Sequence, residues 1–478
     1  MIDGRFNRGL PIGGHWVPVS GRLPVINPAT GTLLAEAPLG GVEHLEMAVA
    51  AAAAAREKIQ SQAAYERAEQ LLSVAREIGQ RRDEFSQCIL AESGKPILLA
   101  EAEVSRAIVT FTAAAEEARR PQGETLALDS FPSGRGHTGF TRRFPIGTVY
   151  GITPFNFPLN LVAHKVAPCL AVGNAILVKP APKAPLTSLL LAEALEAAGV
   201  PAGQVSVVIC SNQDAAHLVG DPRVALTSFT GSPDVGWRMK ERCGRQKLLL
   251  ELGGNAAVVV HEDADLQAAI GGIITGGFGY AGQSCISVQR VFVHEPIYAR
   301  FRERLLDQIP RLAIAGDPAD RRTLVGPLID HASLDRVLAW IGRAVDAGAS
   351  VLIGGRARGL ILEPTVLEGV SADMDLWTKE VFAPVILLQP YTHFEEALSR
   401  VNDSVFGLQA GVFTADLRRA FQAFERLEVG GVMINEVPTF RVETMPYGGI
   451  KLSGLGREGI RYAMEEMTEL RSMVMNWR

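Results

Sequence analysis

Gly147-Thr148-Val149-Tyr150-Gly151-Ile152-Thr153-Pro154-Phe155-Asn156-Phe157-Pro158 is the stretch whose reading decides the fold. Its first six residues are small, β-branched or aromatic and read as a strand, which Pro154 and Asn156 close with a turn. A helix is expected over 159–170, a second strand over 175–180, a helix over 186–198 and a third strand over 205–209. A short helix over 214–220 and a fourth strand over 225–229 follow. Strands this apolar are buried on both faces, and crossover helices of this length join parallel neighbours. After Leu248 the unit repeats, with strands expected near 256–260, 288–293, 350–353, 385–389 and 410–413. The fold class is therefore α/β, with two doubly wound domains.

Working outward, residues 15–40 alternate around the turn Asn27-Pro28-Ala29-Thr30-Gly31 and read as a pair of short strands. Residues 42–118 have helical spacing, broken near Gly94-Lys95-Pro96, and hold three or four helices. Residues 120–146, with Pro121, Pro132, Gly134, Gly136 and Gly139, suggest an extended excursion. The last segment, 470–477, reads as an edge strand that needs a cover, for which a partner subunit is expected.

A chain of 478 residues exceeds what one core can organise. A net charge of -5 gives no sign of nucleic acid or an anionic membrane as partner. Cys88, Cys169, Cys210, Cys243 and Cys285 are scattered, with no CxxC pair, which argues against a disulfide framework or a zinc site. The start, Met1 to Phe6, has no apolar signal core, and the small-residue run 268–282 is too short and glycine-rich to span a membrane. A cytoplasmic protein is expected. The nine histidines show no HxxxH spacing, and no metal is expected.

Five sites carry chemistry. Cys285 stands in Gly282-Gln283-Ser284-Cys285-Ile286, where small neighbours let a carbonyl approach a thiolate; a buried structural cysteine would look the same. Asn156, past a strand end, is either an oxyanion donor or a turn residue. Phe229-Thr230-Gly231-Ser232 runs into a helix start that suits phosphate, with Ser232 as a plain N-cap the alternative. Glu251, in Leu250-Glu251-Leu252-Gly253-Gly254, is a buried base or a paired core carboxylate. Glu380, in Lys379-Glu380-Val381-Phe382-Ala383-Pro384, accepts from a sugar hydroxyl or marks a surface strand entry.

Taken in order, these motifs together with Pro446-Tyr447-Gly448-Gly449-Ile450-Lys451 resemble the aldehyde dehydrogenase superfamily along essentially the whole chain, with Glu251 and Cys285 34 positions apart as that family spaces them. The resemblance implies a Rossmann-like cofactor domain (1–122 and 144–252), a catalytic domain (253–463) and a small β oligomerisation extension (123–143 and 464–478). It implies oxidation of an aldehyde to its acid through a cysteine thiohemiacetal and thioester, with Cys285 as nucleophile, Glu251 as general base and Asn156 as oxyanion donor. By the same resemblance Lys179, Ser232, Thr230, Gly231, Pro154, Gly253, Glu380 and Phe382 hold NAD or NADP, and a homodimer or homotetramer is expected. Gly454-Leu455-Gly456-Arg457-Glu458-Gly459 fits GxGxxG, but too little chain follows it to build a βαβ unit.

Where many NAD-using members carry a glutamate, Lys179-Pro180-Ala181-Pro182-Lys183 has Pro182, and Lys183 follows. Loss of that carboxylate removes repulsion of a 2′-phosphate, so NADP is expected to be accepted. Arg106 lies in a small apolar helix and Arg441 in the stretch 437–447, which resembles the branch acting on lactaldehyde, glyceraldehyde-3-phosphate (non-phosphorylating), sulfolactaldehyde and phosphonoacetaldehyde. Arginine forks suit such anionic groups; ion pairs of Arg106 with Glu101 or Glu103, and of Arg441 with Glu443, are the alternative. His164 and Asn160 are further candidates for the substrate pocket. Release of the acyl group to CoA, or a thiol hydrolase or acyltransferase built on Cys285, are the rival chemistries; Glu251 favours water.

Overall fold

The computed structural model describes residues 5–120 and 123–477. The chain start at Met1 and Pro121 lie outside the described residues. Two mainly parallel sheets, each with one antiparallel edge strand, organise the chain. The first has six strands in the order Gly454–Leu455, Lys247–Glu251, Leu226–Thr230, Thr148–Ile152, Ala175–Lys179 and Val205–Val207. Three of these, Thr148–Ile152, Ala175–Lys179 and Leu226–Thr230, are buried at every position, as a parallel sheet covered on both faces requires. The second sheet has seven strands, ordered Ser350–Ile353, Thr365–Glu368, Val385–Tyr391, Val288–His294, Ala256–Val260, Gln409–Phe413 and Gly431–Ile434.

Each expected strand near 256–260, 288–293, 350–353, 385–389 and 410–413 is present. Thr365–Glu368 and Gly431–Ile434 are additions. Both have only four residues and adjoin Pro364 or a glycine pair, so they lack the run length that marks a strand in sequence. The 42–118 region forms four helices, Val42–Gln60, Ala64–Gln80, Arg82–Ser93 and Ile97–Ala118. Ahead of them stand two hairpins, Leu10–Ile12 with His15–Val17 and Gly21–Ile26 with Leu33–Leu39, where one strand pair was expected.

The C-terminal strand, Thr468–Asn476, finds its pairing within the chain. It runs antiparallel to His137–Pro145, which also pairs with Thr125–Leu126. It is still an outer strand of that three-stranded sheet, with its second edge unpaired among the described residues. Gly454–Leu455, which the sequence placed within 253–463, returns to the first sheet beside Leu250 and Glu251. No described helix is long and apolar enough to cross a membrane.

The sheets meet end to end. Pro154, Lys179, Thr230 and Glu251 stand at or just past the carboxyl ends of first-sheet strands. Asn255, Cys285 and Glu380 stand just before the amino ends of second-sheet strands. The ligand crevice expected at carboxyl ends of an open parallel sheet is thus roofed by the second sheet.

Candidate active site

Between the two sheets lies a cavity of about 330 Å³ that brings together Cys285, Glu251 and Asn156. The turn that delivers the thiol is unusual. Tyr280 and Ala281 adopt left-handed backbone (φ +52° and +53°), a conformation that costs non-glycine residues energy. Anchors on both sides hold it. The Tyr280 hydroxyl donates to the Ser93 carbonyl at 3.2 Å, and the Gln283 amide donates to the Tyr280 and Pro327 carbonyls. At Gly282 a Cβ would stand 2.2 Å from the Ala383 carbonyl oxygen, and at Gly254 a Cβ would stand 2.2 Å from the Cys285 carbonyl oxygen. Only glycine lets these segments close on the cysteine.

Asn156 is buried, and its Nδ2 donates to the Gln283 carbonyl at 2.9 Å, which ties the first sheet's loop to the cysteine turn. Burial pushes the Cys285 thiol up to about 12, against a pull downward from the Tyr447 hydroxyl, 3.0 Å from Sγ. Glu251 is buried with both carboxylate oxygens unpartnered. Burial, reinforced by the nearby Glu458, raises its carboxyl well above the ordinary range.

A charged layer lies behind the cavity wall. Arg441 stacks over the Tyr447 ring at 3.7 Å and reaches Glu458 at 3.3 Å. Lys165 bonds Glu458 at 3.0 Å and Ser228 at 2.8 Å. Burial works against ionisation of Glu458, but Lys165, His164 and Arg441 outweigh it and hold its carboxyl far below the usual range. Arg106 donates to Glu443 at 2.9 Å. Neither arginine has the partner expected for it: Glu101 pairs with Arg321, Glu103 with Lys95, and Glu443 with Arg106.

Other expected residues fall into place unequally. Pro154, Thr230, Gly231, Ser232, Gly253, Glu380, Phe382, Asn160, Arg106 and Arg441 line the cavity. His164 does not; it sits one layer back, bonded by Glu443, Arg441 and Asn160. Lys179 also lies outside the cavity lining, buried with its Nζ on Asn212 at 2.6 Å. Lys183 is half-exposed and paired with Asp330 across the two sheets, rather than free for a 2′-phosphate.

Ser232 heads the Pro233–Arg242 helix without capping it through its side chain, and the Thr230 hydroxyl is buried without a partner. The Glu380 carboxylate, raised to about 7 by burial, accepts from the Gly254 N–H at 3.0 Å, and a Cβ on Gly253 would stand 2.6 Å from it. These orphaned and closely cradled groups fit a dinucleotide: helix-end N–H groups for phosphate and a carboxylate for a ribose. Sequence reasoning missed two residues. Tyr447 was only part of a motif, and Glu458 stood inside the dismissed glycine run; neither carries a local signal of its contact.

A thiol, a buried carboxylate and a buried amide brought into one cleft between two α/β sheets fit an oxidoreductase that works through a covalent cysteine adduct. The chain belongs to the aldehyde dehydrogenase family, whose description "Aldehyde dehydrogenase family" matches residues 16–473. It is similar to 3-sulfolactaldehyde dehydrogenase of Priestia aryabhattai, 41% identical over 469 residues covering 98% of each chain. Among solved structures it resembles aldehyde dehydrogenase 21 from Physcomitrella patens in complex with the reaction product succinate (42% identity, TM-score 0.94, 96% of this chain and 97% of that one). It also resembles glyceraldehyde-3-phosphate dehydrogenase GapN from Methanocaldococcus jannaschii complexed with NADP (37% identity, TM-score 0.92, 96% and 100%). The protein is accordingly an NAD(P)-dependent aldehyde dehydrogenase.

Proposed function

We propose that this enzyme oxidises a small aldehyde carrying a second, anionic group to its acid, with Cys285 as nucleophile. The observation that carries the reading is the convergence of Cys285, Glu251 and Asn156 on one cavity whose wall also holds Arg106 and Arg441. Arg106 Nη2 and Arg441 Nε are buried without partners. In the linked layer Arg106 pairs with Glu443, and Lys165 and Arg441 pair with Glu458, while burial raises the Glu251 carboxyl well above its ordinary range. The unpartnered Arg106 Nη2 and Arg441 Nε are the donors left for a substrate anion. The relatives named above concern sulfolactaldehyde, glyceraldehyde-3-phosphate and succinate, each of which bears such an anion.

The Cys285 sulfur attacks the aldehyde carbon. The Asn156 amide, with the Cys285 N–H, holds the oxygen that becomes negative; an oxyanion donor of this kind is worth about 2.7–4 kcal/mol. When bound, a nicotinamide would accept the hydride that leaves the substrate carbon, so that a thioester remains on Cys285. Ser232, Thr230 and Gly231 would hold the cofactor's pyrophosphate, Lys179 its adenosine ribose and Glu380 its nicotinamide ribose, with Phe382, Pro154 and Gly253 beside the ring. Glu251 then takes a proton from the water that clears the thioester.

A panel of aldehydes assayed separately with NAD and NADP tests this. Sulfonate-, phosphate- or carboxylate-bearing aldehydes are expected to exceed propanal in kcat/KM, and Arg441→Ala to remove that preference. Equal values for propanal would sink the anion reading. We further assign the extension built on Thr468–Asn476, with Leu470, Met473 and Val474 exposed, to self-assembly. Sedimentation velocity is expected to show a dimer or tetramer, and Val474→Asp to yield smaller species; a wild-type monomer would contradict this.

A further inference from the structure

The carboxyl edge of the second sheet, a strand length (roughly 17 Å) from the catalytic cavity, holds a cluster the oxidation does not use. His261 follows the Ala256–Val260 strand, His294 ends Val288–His294, and Tyr391 ends Val385–Tyr391. These parallel strands are neighbours in register, with Val260 beside Val293 and His294 beside Tyr391. Their rings consequently fall in a row, His261 on His294 at 4.3 Å and His294 on Tyr391 at 5.2 Å. One ligand atom from each of His261, Glu262 and His294 lies within 4.8 Å of the others.

Hydrogen bonding decides what these atoms offer. His294 Nε2 stands 3.1 Å from the Thr392 carbonyl, an acceptor only, so Nε2 carries the proton. In the neutral ring Nδ1 is then a bare lone pair, buried and without a donor, and the atom facing it at 3.6 Å is an oxygen of Glu262, another acceptor. His261 is 4% exposed; its Nδ1 bonds the Tyr391 hydroxyl at 2.7 Å and its Nε2 is buried and unpartnered. An imidazole whose far nitrogen is fixed by a carbonyl or hydroxyl is the arrangement metal-ligating histidines adopt. The other charged groups nearby are Asp263 and Arg419, which pair with each other at 3.3 Å.

We propose that His261, His294 and Glu262 bind one borderline divalent cation of the zinc class at the carboxyl edge of the second sheet. Two imidazoles and a carboxylate select such an ion over calcium or magnesium. Zinc bonds of about 2.1 Å place ligand atoms roughly 3.4 Å apart, so the cluster contracts on binding and the stacked rings splay. The half-exposed Glu262 supplies most of that movement, with a smaller shift of His294, whose side chain is 13% exposed, while Tyr391 anchors His261. The ion would tie the ends of two adjacent strands and leave its fourth position to water.

The test uses full-length, chelator-stripped protein carrying Cys243→Ser and Cys285→Ser, which removes the two partly exposed thiols that compete for metal. It is titrated with Zn2+ by calorimetry and with Co2+ by visible absorption. One equivalent is expected per chain, with a Co2+ spectrum lacking sulfur charge transfer. Affinity should fall more than about 100-fold in His261→Gln or His294→Gln and about tenfold in Tyr391→Phe. If the histidine variants fail to fold, Glu262→Gln, on a half-exposed side chain, must weaken binding on its own. Absence of uptake, or uptake unchanged by these substitutions, overturns the proposal.

Discussion

Tyr447 shows how much a single hydroxyl sets here. The same phenol sits 3.0 Å from the Cys285 sulfur and lies face-on beneath the Arg441 guanidinium. In a buried site that raises the thiol to about 12, it is the named contact that favours the thiolate. A hydrogen bond to a charged group contributes about 1.5–3 kcal/mol. Tyr447→Phe is therefore expected to slow alkylation of Cys285 by iodoacetamide at neutral pH roughly tenfold or more, and to lower kcat/KM while the cofactor's Kd stays unchanged. Equal alkylation rates would remove Tyr447 from the reaction. Cys285, Glu251 and Asn156 stood out in sequence as candidates, each with a structural alternative, and only the resemblance carried by the ordered motifs gave them roles. Tyr447 did not stand out, because tyrosine and phenylalanine read alike until the fold puts a sulfur beside the hydroxyl.

Between residues, the element that matters most is the helix Asn160–Ala171. Every position in it is buried, yet it carries His164 and Lys165. Such a helix survives only if its charges find partners, and the partner comes from the far end of the chain: Glu458 takes Lys165 on one oxygen and Arg441 on the other. Removing one member of a buried ion cluster strands the rest, at a cost of about 3–5 kcal/mol. Glu458→Gln is expected to lower Tm and the denaturant midpoint clearly, while Glu465→Gln, a partly exposed carboxylate on the helix Ile460–Glu466, leaves both near wild type. Equal stability of the two variants would contradict the account. Sequence placed a helix over 159–170, but Lys165 within it drew no notice. Its partner lay in a glycine run whose only recognisable pattern, GxGxxG, pointed elsewhere.

For the whole molecule, the alternation of buried strands and crossover helices made the α/β class and most strands readable before any coordinates. What periodicity could not supply was the relation between the sheets. The carboxyl edge of the first faces the amino edge of the second, so Glu251 and Cys285 approach from opposite directions. Nor could it show that Thr468–Asn476 pairs within its own chain, since an edge strand carries no address for its partner. The central claim is that both sheets serve one carbon in sequence: Cys285 forms the acyl-enzyme and Glu251 clears it. Because burial raises Glu251 above the ordinary carboxylate range, its base form fills as pH rises, so the wild-type steady-state rate should climb with pH across that titration. The most direct measurement is stopped-flow cofactor reduction by Glu251→Gln with its best aldehyde, followed by mass spectrometry of the quenched protein. One equivalent of reduced cofactor per active site, then a stall, with the acyl group on the peptide containing Cys285, is the predicted result. A burst absent altogether, turnover that continues at the wild-type rate, or an adduct elsewhere would contradict it.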